Sequence, residues 1–277
     1  MDLSPTFAPM AFQAPLVGFR ILVVCHQDSS YGNKAEEEIL LGGRLTPGVV
    51  RLGDTVRRPV SSSSPFVARL LTHLAKRGFD GAPRYLGRDE YNRDILSYIH
   101  GRVPESFQQF EHAQIWCAGQ LLKRFHAATA GTDLVDQGQV ICHHDPGPNN
   151  VVFQEGTPRA FIDFDMAGPG DPLEDIGYMA WTWCVSSRLD RGPCEFQAEQ
   201  VRLLSDAYRV TLDDRRKIVD AIMTQQERTV RFWRTYLSGE APASSLSRET
   251  IQHRIDWTKC ERVYTRTNRA VFERALT

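Results

Sequence analysis

The chain has 277 residues, of which 42% are hydrophobic and 24% are charged, proportions that are ordinary for a globular enzyme. Its formal net charge of −1 argues against a general nucleic-acid-binding protein, which needs a strong basic excess. The apolar run from Ile21 to Cys25 is far too short to span a membrane and lacks the flanks of a secretory signal. We therefore expect no membrane partner. The six cysteines form no Cys-x-x-Cys pair, so we expect reduced thiols and a cytoplasmic location.

Charge is unevenly distributed along the chain. Residues 1–99 carry a balance of +2, residues 100–194 a balance of −6, and residues 195–277 a balance of +3. Carboxylate oxygens are the ligands that divalent cations prefer. The middle third is therefore where the sequence predicts such a cation to bind.

The first third contains short segments of β-strand character. Residues 1–35 show no period and are expected to form an irregular leader. Residues 36–100 hold β-prone runs, and the dipeptide Gly53-Asp54 between two of them predicts a tight hairpin. Serines 61–64 followed by Phe66, Leu70, Leu71 and Leu74 at helical spacing predict one helix that stops at Gly78.

The rest of the chain has mainly helical character. Apolar residues recur at helical spacing from Phe107 to Ala127, and residues 140–165 return to strands around a polar loop. From Pro172 onward the pattern is nearly all helical. We therefore predict an α+β protein with a small β-rich N-lobe over 36–100 and a larger helical C-lobe over 101–277.

The polar loop carries the chemistry. His143-His144-Asp145 is followed by Asn150, an apolar strand, and Asp163-Phe164 at the end of the next strand. This spacing matches the catalytic loop and metal site of protein kinases. Phosphoryl transfer needs an acceptor for the proton of the attacking hydroxyl and oxygen ligands for Mg²⁺. We interpret Asp145 as the base and Asn150 and Asp163 as the metal ligands.

These residues resemble the aminoglycoside phosphotransferases and their choline and homoserine kinase relatives. Those proteins show a His-Gly-Asp-x-x-x-x-Asn loop, an Ile-Asp-Phe or Ile-Asp-Trp strand end and a Gly-Asp-Pro-x-x-Asp segment, matched here by residues 170–175. The strong match covers residues 121–181, and a weaker one extends back to about residue 38. The resemblance implies a bilobed protein-kinase-like fold and a nucleotide cofactor, ATP or GTP, with Mg²⁺.

The resemblance also implies further site residues. The loop from Gly42 to Val50, with Gly43, would cover the nucleotide phosphates, and Arg57 would be directed at them. The hinge at Ser97 to Ile99 would meet the adenine with its backbone. Asp175 would brace the catalytic loop, and His143 is expected to be a structural hydrogen-bonding residue beneath it.

Several of these residues also have structural or alternative interpretations. Asp145 and Asp163 taken singly are typical of turns and caps, and Arg57 fits a solvated strand position equally well. Cys142 with His143 and His144 suggests zinc, but neighbouring residues on a strand point to opposite faces. Two departures from the family remain: residues 64–77 contain no acidic partner for a strand cation, and His144 replaces a glycine.

The predicted reaction is transfer of the γ-phosphate to a hydroxyl group of a small molecule. Arg228, Arg231 and Arg234 recur every three positions and share roughly one helix face, so a neutral or anionic substrate is expected rather than a polycation. The alternative is that these arginines form a solvated surface. Residues 42–59 also resemble proteins described as carrying a trifolitoxin-immunity domain, so the rival hypothesis is a kinase-fold binding or immunity protein with little catalysis.

Overall fold

The computed structural model describes residues 37–40, 48–104, 108–241 and 246–277. The predicted leader and most of the predicted phosphate loop, including Gly43, lie outside these residues. The described strands are β1 Glu38–Ile39, β2 Val50–Leu52, β3 Thr55–Pro59, β4 Tyr85–Arg88, β5 Arg93–Ser97, β6 Val140–Cys142, β7 Val151–Gln154, β8 Thr157–Phe161 and β9 Gly168–Gly170. The described helices are α1 Ser64–Lys76, α2 His112–Thr129, α3 Pro172–Met179, α4 Cys194–Tyr208, α5 Leu212–Arg215, α6 Ile218–Ser238, α7 Arg248–Thr267 and α8 Arg269–Leu276.

The first five strands form one antiparallel sheet in the order β1-β2-β3-β5-β4. Leu52 pairs with Thr55, so the chain reverses at Gly53-Asp54 and the predicted hairpin is confirmed. Helix α1 is also confirmed, because it ends at Lys76 and Gly78 follows with a φ of +72°. We call this sheet, α1 and the segments that connect them, including Ser63, the N-lobe, and the described residues after β5 the C-lobe.

Helices dominate the C-lobe. Helix α2 packs against α4, while α6 packs against α3 and α7. Trp181 and Trp183 are buried in the core between these helices. The described residues contain no helix that is long and apolar enough to cross a membrane.

Helix α2 begins later than the sequence pattern indicated. We expected helical structure from Phe107, but the helix begins at His112, where Glu111 and Gln114 form a reciprocal capping box. Phe107 lies outside the described residues. Phe110 is buried, although it precedes the helix.

Two short sheets position the polar loop of the C-lobe. Strand β6 pairs antiparallel with β9, and β7 pairs antiparallel with β8. The loop between β6 and β7 therefore lies beside the turn between β8 and β9. An antiparallel N-terminal sheet followed by a helical C-lobe is the α+β architecture that the sequence predicted; the lobe boundary near residue 100 stays a prediction.

Candidate active site

The β7–β8 hairpin brings Asn150 and Asp163 to the same end of the structure. Val151, the first residue of β7, pairs with Phe161, the last residue of β8. One step beyond this pair, the Ile162 N–H donates to the Asn150 carbonyl at 2.9 Å. Asn150 and Asp163, which directly follows Ile162, are neighbours as the metal-site prediction requires.

The carboxylate of Asp145 is held on both oxygens. Asn150 Nδ2 donates to Asp145 Oδ2 at 2.8 Å and to the Asp145 carbonyl at 2.9 Å. The Tyr178 hydroxyl, from α3, donates to Asp145 Oδ1 at 2.5 Å. With its nitrogen turned to Asp145, Asn150 presents Oδ1 on the other side, where the Asn149 side-chain nitrogen donates to it at 3.2 Å.

Asp163 has both an unusual backbone and an unusual carboxyl group. Its φ of 63° and ψ of 67° lie in the left-handed region, which costs a residue other than glycine about 1–3 kcal/mol. Although part of its surface is exposed, surrounding protein removes water from the carboxyl and raises its pKa. The like charge of Asp165 raises the pKa further, while Arg58 opposes both effects. A cation at this position would relieve the unfavourable charge.

Asp175 joins α3 to the loop that carries Asp145. Its two carboxylate oxygens accept the backbone N–H groups of His143 at 2.6 Å and His144 at 2.8 Å. His126 of α2 also donates to Asp175 through Nε2 at 3.0 Å. Burial alone would raise the pKa of Asp175, but the hydrogen bonds, led by that of His126, outweigh burial and hold the pKa below its usual range. These are the contacts that the predicted bracing role needs.

His143 lies fully buried beneath the loop. Its Nε2–H donates to the Ile162 carbonyl at 3.1 Å, and its ring packs against Phe161 and Phe164. Burial lowers the pKa of His143 to about 4, so the imidazole is neutral near pH 7. A neutral, enclosed ring suits the structural part that the sequence predicted for it.

His144 replaces the glycine of the related loops, and the backbone there explains why glycine suits that position. The φ of His144 is 62°, in the left-handed region that only a few residue types adopt readily. Its Nδ1–H donates to the Met166 carbonyl at 2.9 Å. This hydrogen bond ties the Asp145 loop to the turn that follows Asp163 and offsets part of the backbone strain.

The zinc alternative named Cys142, His143 and His144, which is not the group of possible ligands that the described residues bring together. Among the described residues, His126, Cys142 and Asp175 place possible ligand atoms within 4.8 Å of one another. Both His126 nitrogens are already occupied, by the Tyr208 hydroxyl and by Asp175, and Asp175 also accepts the loop amides. Burial raises the pKa of the Cys142 thiol, which therefore keeps its proton. This group is a set of internal hydrogen bonds, and the donor set does not favour zinc.

The structure places Arg58, rather than Arg57, beside the metal-site turn. Successive side chains of β3 point to opposite faces of the sheet. Arg57 donates to Thr55 Oγ1 at 2.5 Å and lies 3.7 Å from Asp89. Arg58 lies on the same face as Val56, which packs against the core, and it forms an ion pair with Asp165 of the C-lobe.

Ser97 and Ile99, the two residues predicted to form the hinge, differ in their backbone hydrogen bonds. The Ser97 N–H donates to the Arg84 carbonyl at 2.9 Å, and Ser97 Oγ accepts the Arg84 N–H at 2.8 Å, so Ser97 belongs to the sheet. Within the described part of the chain, the backbone N–H and carbonyl of Ile99 make no hydrogen bond. Among the described residues, the Ile99 backbone is therefore without a partner, whereas the Ser97 backbone is held in the sheet.

Sequence reasoning missed three residues of this site: Arg58, Asp165 and Tyr178. The alternation of β3 was a usable signal for Arg58, because the apolar Val56 two positions earlier predicts an inward face. Asp165 had no comparable signal, since its partner lies 107 positions away in the chain. Tyr178 follows Asp175 by three positions, which places it on the same side of α3.

The chain resembles a family of known enzymes over its central part. Residues 90–218 match the model of the phosphotransferase enzyme family. The trifolitoxin immunity protein of Rhizobium leguminosarum bv. trifolii is 33% identical over 219 residues, which span 68% of this chain and 80% of that protein.

Solved structures show the same fold. A choline/ethanolamine kinase family protein from Mesorhizobium loti superimposes with a TM-score of 0.58 at 16% identity, over 85% of this chain and 90% of its own. The amicoumacin kinase hAmiN, solved in complex with AMP-PNP, Ca²⁺ and amicoumacin, gives a TM-score of 0.57 at 12% identity, over 85% and 88% of the two chains. The bilobed protein-kinase-like fold predicted from the sequence is therefore confirmed.

Proposed function

Because the chain belongs to the phosphotransferase enzyme family, we propose that it transfers the γ-phosphoryl group of ATP or GTP to a hydroxyl group of a small molecule. The observation that carries this proposal is the convergence of Asp145, Asn150 and Asp163. Asn150 hydrogen-bonds the carboxylate of Asp145 and lies beside Asp163 through the β7–β8 hairpin. Few structural roles need these three groups together.

Asp145 is the proposed catalytic base. The acceptor hydroxyl forms a new bond to the γ-phosphorus while the bridging oxygen leaves with the nucleoside diphosphate, and the hydroxyl proton passes to Asp145. Tyr178 and Asn150 each donate to one oxygen of this carboxylate, so its plane is fixed before the substrate binds. Fixed geometry is the main contribution a protein makes to phosphoryl transfer.

The residues around Asp163 fit a magnesium ion. Mg²⁺ prefers oxygen ligands, and Asn150 Oδ1 with the Asp163 carboxylate supplies one neutral and one charged ligand. The raised pKa of Asp163 fits the same interpretation, because a bound cation lowers the cost of its charge. When bound, the ion neutralises negative charge on the transferred phosphoryl group.

The nucleotide is proposed to lie between the lobes, with Arg58 near its phosphates and the Ile99 backbone near its base. Arg58 replaces Arg57 in this role because it lies on the inner face of β3, where Asp165 forms its ion pair. Gly43 is proposed to belong to the loop that covers the nucleotide phosphates. Ser97 is proposed to support the hinge through its hydrogen bonds to Arg84.

A neutral or anionic substrate fits the charges of the C-lobe better than a polycation does. Three carboxylates on the helices of the C-lobe each have a basic partner. Asp220 pairs with Arg269, Glu227 with Arg231 and Arg262, and Asp256 with Lys259. Glu174, next to the catalytic loop, is paired with Arg228. A polycation would have to displace these arginines and lysines.

A second function is supported by the relative of 33% identity, which is named an immunity protein. In that case this chain would bind a small toxic compound or a nucleotide without turning it over. The two functions differ in one observable, the formation of nucleoside diphosphate and a phosphorylated product.

Calorimetric titration of ATP with and without Mg²⁺, followed by ³¹P NMR with a panel of neutral, acidic and polycationic alcohols, tests the proposal. We expect Mg²⁺-dependent ATP binding and a new phosphomonoester signal with at least one alcohol. Binding without turnover on any member of a broad panel would favour the immunity function. A protein that does not bind ATP would contradict the phosphotransferase function.

A further inference from the structure

One ion pair joins the two lobes at the candidate site. Arg58 of the N-lobe contacts Asp165, which lies in the turn Phe164–Met166 between β8 and β9. Only 9% of the Arg58 side chain and 25% of the Asp165 side chain are exposed. The Ser63 hydroxyl, at the start of α1, also donates to Asp165 at 3.3 Å. Asp165 therefore accepts two donors that both come from the opposite lobe.

Arg58 has donors beyond the one that Asp165 uses. The guanidinium carries five N–H groups in one plane, and the contact with Asp165 runs through Nη2. Its Nε is buried and has no hydrogen-bond partner among the described residues. A buried, unpaired N–H on a charged group is costly, so this position lacks an oxygen acceptor. An anionic ligand would supply one while Asp165 stays in place.

Helix α1 cannot supply a counterion for this arginine. Protein kinases hold the strand lysine with a glutamate from a neighbouring helix. The sequence of α1, from Ser64 to Lys76, contains neither aspartate nor glutamate. Asp165 is the carboxylate that pairs with Arg58 instead, and it belongs to the C-lobe.

We propose that Asp165 is a positioning residue, which holds the Arg58 guanidinium from across the cleft so that its remaining donors face the nucleotide phosphates. This inference rests on the phosphotransferase function proposed above. Since the two partners lie on different lobes, the phosphate-binding arginine is in place only when the lobes are together. Nucleotide affinity is then coupled to lobe closure through one contact.

The test is the affinity for ADP in EDTA, measured by calorimetry, for the parent protein and for Asp165→Asn. We expect the variant to bind ADP about tenfold more weakly, as loss of a charge-assisted contact allows. The Asp165→Glu variant, which keeps the charge, should bind within about threefold of the parent. Removal of Mg²⁺ is essential, because a residue that acts only as a metal ligand has no effect in EDTA.

Asp89→Asn is the matched control. Asp89 lies 3.7 Å from Arg57, the neighbour of Arg58 on the opposite face of β3, and it also pairs with Arg93. This variant removes the carboxylate partner of Arg57, which lies on the same strand as Arg58. The affinity of the variant for ADP should stay within about twofold of that of the parent. An equal loss in both variants would indicate general damage to the sheet and would overturn the inference.

Several results would overturn the inference. An unchanged affinity in Asp165→Asn would assign Asp165 to the metal or to structure, and a tighter affinity would make it a competitor of the phosphates; both overturn the inference. If Asp165→Asn does not fold, Ser63→Ala is the substitute, because it removes the hydrogen bond from the Ser63 hydroxyl to Asp165. This variant should bind ADP about twofold more weakly than the parent. An unchanged affinity would overturn the inference. A parent that binds ADP only with Mg²⁺ would also contradict it. A parent that binds no nucleotide under any condition contradicts the phosphotransferase function itself.

Discussion

Asp163 has a left-handed backbone and a carboxyl group with a raised pKa. The pKa is raised by loss of water around the carboxyl group and by the negative charge of Asp165. Such a group favours a cation as its partner. We expect Asp163→Asn to abolish the Mg²⁺ dependence of ATP binding, because the substitution removes the charged one of the two proposed ligands and leaves only neutral amide oxygens. Calorimetry at several Mg²⁺ concentrations measures this. Asp213→Asn removes an exposed carboxylate that pairs with Arg216 and serves as the control.

Because the pKa of Asp163 is raised, Mg²⁺ binding at this residue depends on pH. A raised pKa means that the carboxyl keeps its proton at higher pH than an ordinary aspartate, so Mg²⁺ has to displace that proton. Mg²⁺ affinity should fall as the pH falls through this pKa. A metal titration of Asp163→Asn that matches the parent would reduce Asp163 to a strand-end residue.

His143 makes the folded state sensitive to acid. Its pKa is about 4 in the folded protein and near 6.5 in the unfolded chain, so the unfolded chain binds the extra proton between these values. The stabilising contribution is therefore fully present above pH 6.5 and is lost as the pH falls toward 4. We expect a slope of about 1.4 kcal/mol per pH unit from this residue. Urea unfolding of the parent and of His143→Gln from pH 4 to 8 measures the difference. Parallel curves would contradict the burial of a neutral imidazole.

The alternation of strand β3 turns Arg58, and not Arg57, toward the proposed nucleotide site. Arg58 lies on the inner face and Arg57 on the outer face with Asp89. We expect Arg58→Gln to weaken ATP binding about tenfold or more, because a charge-assisted phosphate contact is lost. Arg57→Gln is the matched variant on the next residue, and its affinity should change by less than about twofold. The reverse order would return the phosphate role to Arg57.

Local elements were predictable from sequence because their causes are local. The Gly53-Asp54 hairpin and the end of α1 before Gly78 follow from turn and capping chemistry that a few residues determine. The start of α2 was misplaced because apolar spacing continues through Phe110, while the Glu111 capping box determines the boundary.

The residues of the candidate site that are close in sequence could be predicted, but the contact between residues far apart in sequence could not. Asp145, Asn150 and Asp163 lie within 19 positions, and a strand–loop–strand pattern brings them together. Asp165 reaches Arg58 over 107 positions, a contact that no local pattern encodes. The left-handed backbone at His144 was hidden as well, because the residue there is not the glycine that such a conformation normally indicates.

The charge distribution of the C-terminal third predicts which class of substrate the protein accepts. Residues 195–277 carry a balance of +3, and the carboxylates Asp220, Glu227 and Asp256 are already paired with basic side chains. A pocket for several ammonium groups needs carboxylates that are free to bind them. We expect kanamycin-like aminoglycosides to be poor substrates and neutral or acidic alcohols to be better. A kinetic panel with ATP and Mg²⁺ measures kcat/KM for both kinds. Efficient, saturable phosphorylation of an aminoglycoside would show that these ion pairs open for a polycation.

The central claim is that Asp145 is the catalytic base of phosphoryl transfer. It is tested most directly by comparing the parent protein with Asp145→Asn, using ³¹P NMR to follow phosphorylation of the alcohol that the parent uses best. Asparagine keeps the shape of the side chain and removes the base, so nucleotide affinity should be nearly unchanged. Turnover should fall on the order of 10²–10⁴-fold, the contribution of a positioned base. Near-normal turnover in Asp145→Asn, with the phosphorylated product still accumulating, would contradict the assignment of Asp145 as the catalytic base.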